Sequence, residues 1–229
     1  MLELFPEGYA EAREDDSIEL AAFTDEEGVE RLRSRFGGVR VESVPKGWED
    51  EWKRFHRPVE IGSLWVGPPW ETPSSGLLSV VIDPGRAFGT GAHPTTQLCL
   101  ELLQELERGS LVDVGCGSGV IAIAAARLGY APVLAVDFDE AAVEATSRNA
   151  AANGVDVEPR LLDLLHEEVP PADVAVANID LRTISALRPR AGRLVTSGYS
   201  VADRPAVSAS DHVERRTLEG WAADLFRRE

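Results

Sequence analysis

The chain has 229 residues, of which 44% are hydrophobic and 27% charged, a balance typical of an ordinary globular protein. Its 39 acidic and 23 basic residues give a formal net charge of −16. This charge argues against stable nucleic-acid binding, which needs a basic face, and it suits a soluble protein or one that attracts a basic protein partner.

The sequence carries no signal for export, membrane insertion or metal binding. Its longest apolar runs are well short of the roughly 18 residues of a transmembrane helix, and Met1–Glu7 lacks the basic region of a secretory signal. Cys99 and Cys116 are expected to be reduced thiols, and no Cys/His cluster has zinc spacing. We therefore expect a cytoplasmic protein that binds neither a membrane nor a metal.

Residues 1–45 predict a small, separate α+β unit. A strand is expected over Ser17–Phe23, a helix over Asp25–Phe36 with Thr24 and Glu27 as a capping box, and a second strand over Val39–Val44. A fragment of this size cannot bury much apolar core, so it should pack on a larger module.

Residues 46–76 are rich in tryptophan and proline and predict an ordered connector. Trp48, Trp52 and Phe55 follow an i, i+4, i+7 spacing, which places them on one face of a short helix. That face suits either core packing between two domains or contact with a partner.

A strand over Leu77–Ile82 leads into a glycine-rich loop over residues 83–96. Thr95 or Thr96 is suited to cap a helix over Gln97–Glu107. Composition alone assigns no role to the loop, although its glycines allow close approach to a ligand. His93, a lone loop histidine, is by composition structural or solvated.

The chain's main motif is a glycine turn that follows an apolar strand over Leu111–Val114. Gly115, Gly117 and Gly119 lead into a helix over Val120–Leu128, an order that brings backbone N–H groups close to a nucleotide-like ligand. Asp113 precedes the turn, and Asp137 ends the next apolar run where a ribose-binding acid belongs. Together they predict a nucleotide-type cofactor site.

Strands and helices then alternate, which implies a parallel sheet with its ligand site at the carboxyl ends of the strands. Asp163, at the third strand–helix junction, suits an adenine contact or a helix cap equally, and Asn178 ends the fourth strand. The remaining expected elements are strands over 133–136, 157–161, 172–177 and 192–196, helices over 140–153 and 181–187, and a closing hairpin over 213–218 and 221–226.

Five segments together resemble the ribosomal protein L eleven methyltransferases, a family of class I methyltransferases. They are Trp48-Glu49-x-x-Trp52, Trp65-Val66-x-Pro68-x-Trp70, the run from Asp83 to Thr96, Asp113-x-Gly115-Cys116-Gly117-Ser118-Gly119 and Val176-Ala177-Asn178-Ile179. The resemblance implies a Rossmann-like α/β domain over residues 77–229, a mostly parallel seven-stranded sheet with helices on both faces. It also makes residues 1–45 a substrate-docking unit that lacks the family's opening strand and helix.

The resemblance further implies a monomeric enzyme that transfers methyl groups from S-adenosylmethionine to lysine or N-terminal amines of a ribosomal protein. Asn178 would orient the acceptor amine. No residue stands out as a general base, and His93 is only a candidate for that role. The implied cofactor-binding residues are Phe88, Gly89, Thr90, Thr96, Asp113, Gly115, Gly117, Gly119, Asp137, Asp163 and Asn178.

Two alternatives remain open because the chain departs from the family after Asn178. The family has an apolar or aromatic residue and then a small one there, whereas this chain has Asp180, Leu181 and Arg182. A methyltransferase acting on another protein's lysines or on a small molecule would keep the cofactor machinery. An interaction module that binds the cofactor without catalysis would keep it too.

Overall fold

The computed structural model describes residues 10–14, 17–21, 26–36, 39–40, 56–83, 89–163, 166–188, 190–208 and 210–228. Contacts divide the chain into two compact units, Met1–Glu51 and Trp52–Glu229. Among the helices that the model describes, none combines the length and apolar character needed to cross a membrane.

The first unit contains a β-hairpin and one helix. Strands β1 (Ala10–Glu14) and β2 (Ser17–Ala21) are antiparallel, and helix α1 spans Glu26–Phe36. The sequence predicts β2 and α1 but misses β1, since the stretch Ala-Glu-Ala-Arg-Glu has no β-branched or aromatic residue. The expected strand over 39–44 lies mostly outside the described residues, as do Thr24, Trp48, Trp52 and Phe55.

The second unit opens with a three-stranded sheet. Strand β3 (Val59–Ile61) pairs antiparallel with β4 (Leu64–Gly67), which pairs parallel with β5 (Leu78–Val81). Only β5 is expected from the sequence. Part of the stretch interpreted as a connector is therefore regular sheet, and its Trp65 is 2% exposed.

The main sheet has seven strands in the spatial order β8-β7-β6-β9-β10-β12-β11. The first five strands of this order are parallel, and β12 is antiparallel to both of its neighbours. This confirms the predicted Rossmann-like, mostly parallel sheet. The strands are β6 (Leu111–Val114), β7 (Val133–Asp137), β8 (Glu158–Leu161), β9 (Ala172–Asn178), β10 (Ala191–Ser200), β11 (Asp211–Leu218) and β12 (Trp221–Arg227).

Helices cover both faces of this sheet, as predicted. Alternate strand residues point to opposite faces, so Leu111 and Val133 pack in one core cluster and Val112 and Val136 in another. The first cluster includes residues of α2 (Pro94–Glu105), α3 (Val120–Arg127) and α4 (Glu140–Asn153), and the second includes α5 (Leu181–Ala186).

The order of the strands places the ligand site. From β6 the chain proceeds outward through β7 and β8, then returns to the other side of β6 to form β9 and β10. Ligands of open α/β sheets bind outside the carboxyl ends of the strands where the order reverses in this way. The crevice is therefore expected beyond β6 and β9.

Two buried asparagines on α4 connect the small sheet to the glycine turn. Asn153 accepts a hydrogen bond from the Val81 N–H (2.9 Å) and donates to the Val81 carbonyl (2.6 Å). One turn away, Asn149 accepts from the Asp83 N–H (3.1 Å) and donates to the Ser118 carbonyl (2.9 Å). The start of the glycine-rich loop is thereby fixed beside the turn.

Candidate functional site

A cavity of about 800 Å³ lies at the carboxyl ends of the main-sheet strands. Its wall combines the glycine turn, the residues that follow β7, β8 and β9, and the first turn of α2. The lining residues are Gly89, His93, Thr95, Thr96, Gly115, Cys116, Gly117, Val120, Ile121, Asp137, Phe138, Asp163, Asn178, Ile179, Asp180, Thr183, Gly198 and Trp221.

The glycine turn forms the floor of this cavity. The N–H groups of Gly115 and Cys116 both donate to the Val136 carbonyl, at 2.8 and 3.1 Å, and so tie the turn to β7. Gly115 has a φ of +77°, and a Cβ there would overlap the Ile179 side chain. Only glycine allows the ends of β6 and β9 to come this close.

Asp137 links the turn to the next strand. Its side chain is 7% exposed, accepts hydrogen bonds from the N–H groups of Gly117 (3.0 Å) and Asp139 (3.1 Å), and lines the cavity. A carboxylate has about four acceptor sites, so two stay available after these bonds. The group is thus held in one orientation with acceptor capacity for a ligand's hydroxyls.

Asn178 stands across the cavity from Asp137, at the end of β9. Its Nδ2 donates to the hydroxyl of Thr96 (3.2 Å), a buried residue in the first turn of α2. This bond sets the amide plane, and Oδ1 has no hydrogen-bond partner among the residues described. The site therefore presents a fixed carbonyl oxygen that is able to accept an N–H.

His93 caps helix α2, which begins at Pro94 and not at Gln97. The expectation of Thr95 or Thr96 as the cap is wrong: the Thr95 N–H lies 3.4 Å from His93 Nδ1, and Pro94 takes the first helical position, where its missing N–H costs nothing. Nδ1 also lies 2.7 Å from the Thr95 hydroxyl. The ring meets Trp221 edge-on, with centroids 4.8 Å apart.

Trp221 is held in place by the closing hairpin, whose buried anchor is Asp224. Arg215 donates to both oxygens of this carboxylate (2.8 and 2.7 Å), and Tyr199 and His212 also bond to it. Burial by itself raises the pKa of Asp224, but the hydrogen bonds from Arg215, Tyr199 and His212 outweigh it and hold the pKa below its ordinary value. The anchor therefore stays ionised.

Gly198 shapes the same wall of the cavity. The pairing of β10 with β12 shifts register between Ser197 and Tyr199, and Gly198 sits in this bulge with a φ of +105°. A Cβ there would overlap the Ile179 carbonyl. The bulge thus depends on glycine, since no other residue combines this backbone conformation with so close a contact.

The described residues show no metal centre. They contain no group of three or more His, Cys, Asp or Glu side chains that could hold an ion. Both cysteines are free and buried. Burial, with a smaller contribution from the charge of Asp113, raises the pKa of the Cys116 thiol to about 12, so this cavity-lining group is not a thiolate at neutral pH.

Comparison with known proteins shows the family to which this chain belongs. The family model described as "Ribosomal protein L11 methyltransferase (PrmA)" matches residues 9–203, most of the chain. This chain belongs to that family.

Individual relatives agree. The ribosomal protein L11 methyltransferase of Symbiobacterium thermophilum is 40% identical over 228 residues, covering 87% of this chain and 73% of the relative. That of Caldicellulosiruptor saccharolyticus is 45% identical over 148 residues, covering 62% of this chain and 49% of the relative. The crystal structure of the ribosomal protein L11 methylase from Lactobacillus delbrueckii subsp. bulgaricus superposes with a TM-score of 0.66 at 28% identity, over 76% of this chain and 100% of that one.

Within this methyltransferase family fold, most of the residues singled out from the sequence line one cavity. Those that do are Gly89, His93, Thr96, Gly115, Gly117, Asp137, Asp163 and Asn178. Thr90, Asp113 and Gly119 are not among the lining residues, and Phe88 lies outside the described residues. The cofactor role of all these residues stays a prediction.

Asp113 and Gly119 lie beneath the turn and shape it. Asp113, 1% exposed, accepts the Ala122 N–H (3.1 Å) in the first turn of α3. Gly119 precedes this helix with a φ of +82°, where a Cβ would press on Thr146 at 2.8 Å. Both residues act on the cavity through the conformation of the turn.

Asp163 lies at the cavity rim and is exposed. Its carboxylate meets His166 Nδ1 at 2.6 Å, and its carbonyl accepts the N–H groups of His166 and Glu167 in a turn. The described residues 166–171 form no helix for Asp163 to cap, and the adenine contact remains a prediction.

The wall residues that sequence reasoning did not single out include Phe138, Thr183, Gly198 and Trp221. Phe138 could have been predicted from the sequence, because it directly follows Asp137 and an aromatic residue beside a ribose-binding acid suits a flat ligand. It is 75% exposed. Gly198 and Trp221 come from the closing strands, whose position over the site no local pattern reveals.

The burial of Asp113 gives a testable pH dependence. Burial raises its pKa from 3.8 to about 7, the charge of Asp137 adds to this, and the hydrogen bond from Ala122 opposes it. The folded protein therefore binds this proton more tightly than the unfolded chain does, so the contribution of Asp113 to stability is present in full below about pH 4 and is lost as the pH rises towards 7. At about 1.4 kcal/mol per pKa unit, the loss between pH 5 and pH 8 is about 2–3 kcal/mol.

Urea unfolding of the wild type and of Asp113→Asn at both pH values measures this effect. Asparagine keeps an oxygen for the Ala122 N–H but does not titrate. The free energy of unfolding of the variant should therefore fall less between pH 5 and pH 8 than that of the wild type. If the free energy of unfolding changes equally with pH in the two proteins, Asp113 is ionised over the whole range. The carboxyls of Asp173, Asp180 and Asp224 have lowered pKa values and titrate below this range.

Proposed function

We propose that this chain is an S-adenosylmethionine-dependent methyltransferase that modifies lysine or N-terminal amino groups of ribosomal protein L11. The observation that carries the proposal is that the Asp137–glycine-turn pair and Asn178 line one cavity at the switch point of the sheet. The first suits a nucleoside ligand and the second suits an amine.

Several features of the cavity support this cofactor. The volume of about 800 Å³ lies within the range of small-molecule sites. Asp137 has acceptor sites for ribose hydroxyls, Phe138 offers an aromatic surface beside it, and Asp163 suits an adenine amino group. The glycine turn lets a ligand approach the backbone without meeting a Cβ.

The loop before α2 would cover the methionine end of S-adenosylmethionine. Ser118, in the glycine turn, donates a hydrogen bond to the Gly89 carbonyl, so loop and turn are joined at this point. Gly89 has a φ of +105°, and a Cβ there would lie 3.2 Å from the Ser118 hydroxyl. We assign Phe88, Gly89 and Thr90 to this cover.

The chain's own residues would position and desolvate the acceptor amine. When bound, S-adenosylmethionine supplies a methyl group already activated by its sulfonium charge. Asn178 Oδ1 accepts an N–H of the neutral amine and directs its lone pair, and the Thr96 bond keeps that oxygen fixed. Holding reactants in this way accounts for much of an enzyme's acceleration.

Deprotonation of the acceptor is the remaining requirement, since a free lysine has a pKa of about 10.4. Ile121, Ile179 and Trp221 give the cavity apolar lining, and contact with it would favour the neutral amine because desolvation penalises the charged form. His93 uses Nδ1 within its own helix cap. This supports a positioning role for His93 more than the role of general base.

Charge supports a basic protein as the partner. The net charge of −16 attracts a positively charged surface and repels nucleic acid, so it favours a ribosomal protein outside the ribosome's RNA. The docking role of residues 1–45, the monomeric state and the cytoplasmic location remain predictions.

Incubation of the purified chain with methyl-labelled S-adenosylmethionine and ribosomal protein L11 tests the proposal. We expect label on L11, located by mass spectrometry at amino groups, and none on an equally basic protein such as lysozyme. Label on other proteins or only on small amines would favour the alternative methyltransferases. Tight cofactor binding by calorimetry without any transfer would favour the non-catalytic interaction module.

A further inference from the structure

Asp180 is a charged residue of the cavity wall that the proposed reaction has not used. It lies two residues beyond Asn178, is exposed and lines the same cavity. Thr183 fixes its carboxylate, with the N–H donating to Oδ1 (3.0 Å) and the hydroxyl donating to Oδ2 (2.6 Å). Each oxygen therefore has a set direction and keeps capacity for a further donor.

Asp180 differs in its pairing from the other acids of the wall. Asp137 is bound by the N–H groups of the turn, and Asp163 is paired with His166. Asp180 has no ion-pair partner within the described parts of the chain, and no Lys or Arg of those parts lines the cavity. A bound cation is the group that would balance this charge.

The chemistry of the carboxylate separates two possible roles. The hydrogen bonds from Thr183 lower the pKa of Asp180 below its ordinary value, so the group is ionised at neutral pH and is a weak base. Such a carboxylate holds an ammonium group well but takes a proton from it poorly. A docking role fits these properties, and that of a general base does not.

We propose that Asp180 docks the protonated amino group of the acceptor beside Asn178 and thereby selects ammonium-bearing acceptors. The inference rests on the proposed function, because it assigns the acceptor to this side of the cavity. Asp180 is then a positioning residue: it binds the charged amine, which releases its proton to solvent water at this exposed part of the cavity before Asn178 orients the neutral amine for transfer. The resulting interaction also raises the pKa of the docked amine, since an adjacent negative charge favours the ammonium form.

The test variant is Asp180→Asn, with Asp173→Asn as its matched control. Asparagine caps a helix about as well as aspartate, so the Thr183 N–H keeps its acceptor and only the charge is lost. Asp173 lies near the opposite end of the same strand, β9, where Ser110 donates through its N–H (2.8 Å) and hydroxyl (2.7 Å). Each substitution changes the net charge by one, from −16 to −15.

Steady-state kinetics with ribosomal protein L11 give the first readout. For Asp180→Asn we expect the KM for L11 to rise about five- to tenfold, because one charge-assisted contact to the substrate is lost. The affinity for S-adenosylmethionine should be unchanged. The limb of the kcat–pH profile in which kcat rises as the bound amine loses its proton should move to lower pH, because kcat reports the pKa of that amine. Asp173→Asn should match the wild type in both.

Binding of a simple amine gives a second readout that does not need turnover. Protein saturated with S-adenosylhomocysteine is titrated with n-butylammonium, followed by NMR, and n-butanol serves as the neutral probe. We expect n-butylammonium affinity to fall several-fold in Asp180→Asn alone, with n-butanol affinity equal in all three proteins.

The outcomes are distinguishable. If L11 is not methylated but n-butylammonium binding depends on Asp180, the proposed function fails and the docking role stands. If KM, the pH profile and n-butylammonium affinity are all unchanged, Asp180 only caps α5 and the inference is overturned. A fall in Tm with parallel losses of kcat and cofactor affinity would likewise show a structural role.

Discussion

Replacing Asn178 by alanine is expected to lower kcat for protein methylation by about a hundredfold or more, with a much smaller change in cofactor affinity. The substitution removes the oxygen that would accept an N–H of the amine, and removal of one pre-organised polar group costs about a hundred- to a thousandfold in kcat in other enzymes. The fold should survive, because this side chain makes one hydrogen bond, to Thr96.

The matched control is Thr96→Val, which removes the hydroxyl that fixes the Asn178 amide but leaves Oδ1 in the cavity. Its kcat should fall about tenfold or less, since the amide then loses only its orientation. Single-turnover measurements with saturating cofactor separate chemistry from product release. Wild-type turnover in Asn178→Ala would mean that the residue only supports the end of β9.

Replacing Asp137 by alanine is expected to weaken S-adenosylmethionine binding by about ten- to a hundredfold. A carboxylate that accepts ligand hydroxyls makes hydrogen bonds worth roughly 1.5–3 kcal/mol, and each 1.4 kcal/mol corresponds to about a tenfold change in affinity. The turn would lose an anchor as well, because the N–H of Gly117 donates to this side chain. Isothermal titration calorimetry measures the effect directly.

Two further variants make the result specific to Asp137. Asp137→Asn keeps an oxygen for one N–H but loses the charge, so its affinity should lie between those of the wild type and the alanine variant. Asp163→Ala removes a rim carboxylate that is exposed and paired with His166, and its effect should be about threefold or less. Unchanged affinity in Asp137→Ala would place the cofactor elsewhere.

The sequence predicts the main sheet because its signals are local. The run Leu111–Val114, the glycines after it and the alanine-rich helix from Val120 are contiguous, and each position has one backbone conformation that suits it. Alternation of strands and helices then implies parallel pairing, and parallel pairing brings Asp137 and Asn178 to one edge. The observed order of the strands confirms this reasoning.

The first strands of each unit were harder to predict. Strand β1 is polar, and β3 and β4 are three and four residues long within a stretch dominated by tryptophan and proline. Short strands gain their stability from partners. Here β4 pairs with both β3 and β5, and the amides of Asn149 and Asn153, about 70 residues further along the chain, hold the end of β5. No local pattern carries that information.

By itself, the sequence determined the glycine turn, the two acids around it and the sheet that carries them, because adjacent residues specify those features. Only the tertiary structure decided the opposite wall: the His93 cap against Trp221, the bulge at Gly198 that accommodates Ile179, and the exposed carboxylate of Asp180. These groups come from segments far apart along the chain. Long-range strand pairing, which buries apolar surface and satisfies backbone hydrogen bonds, is what brings them together.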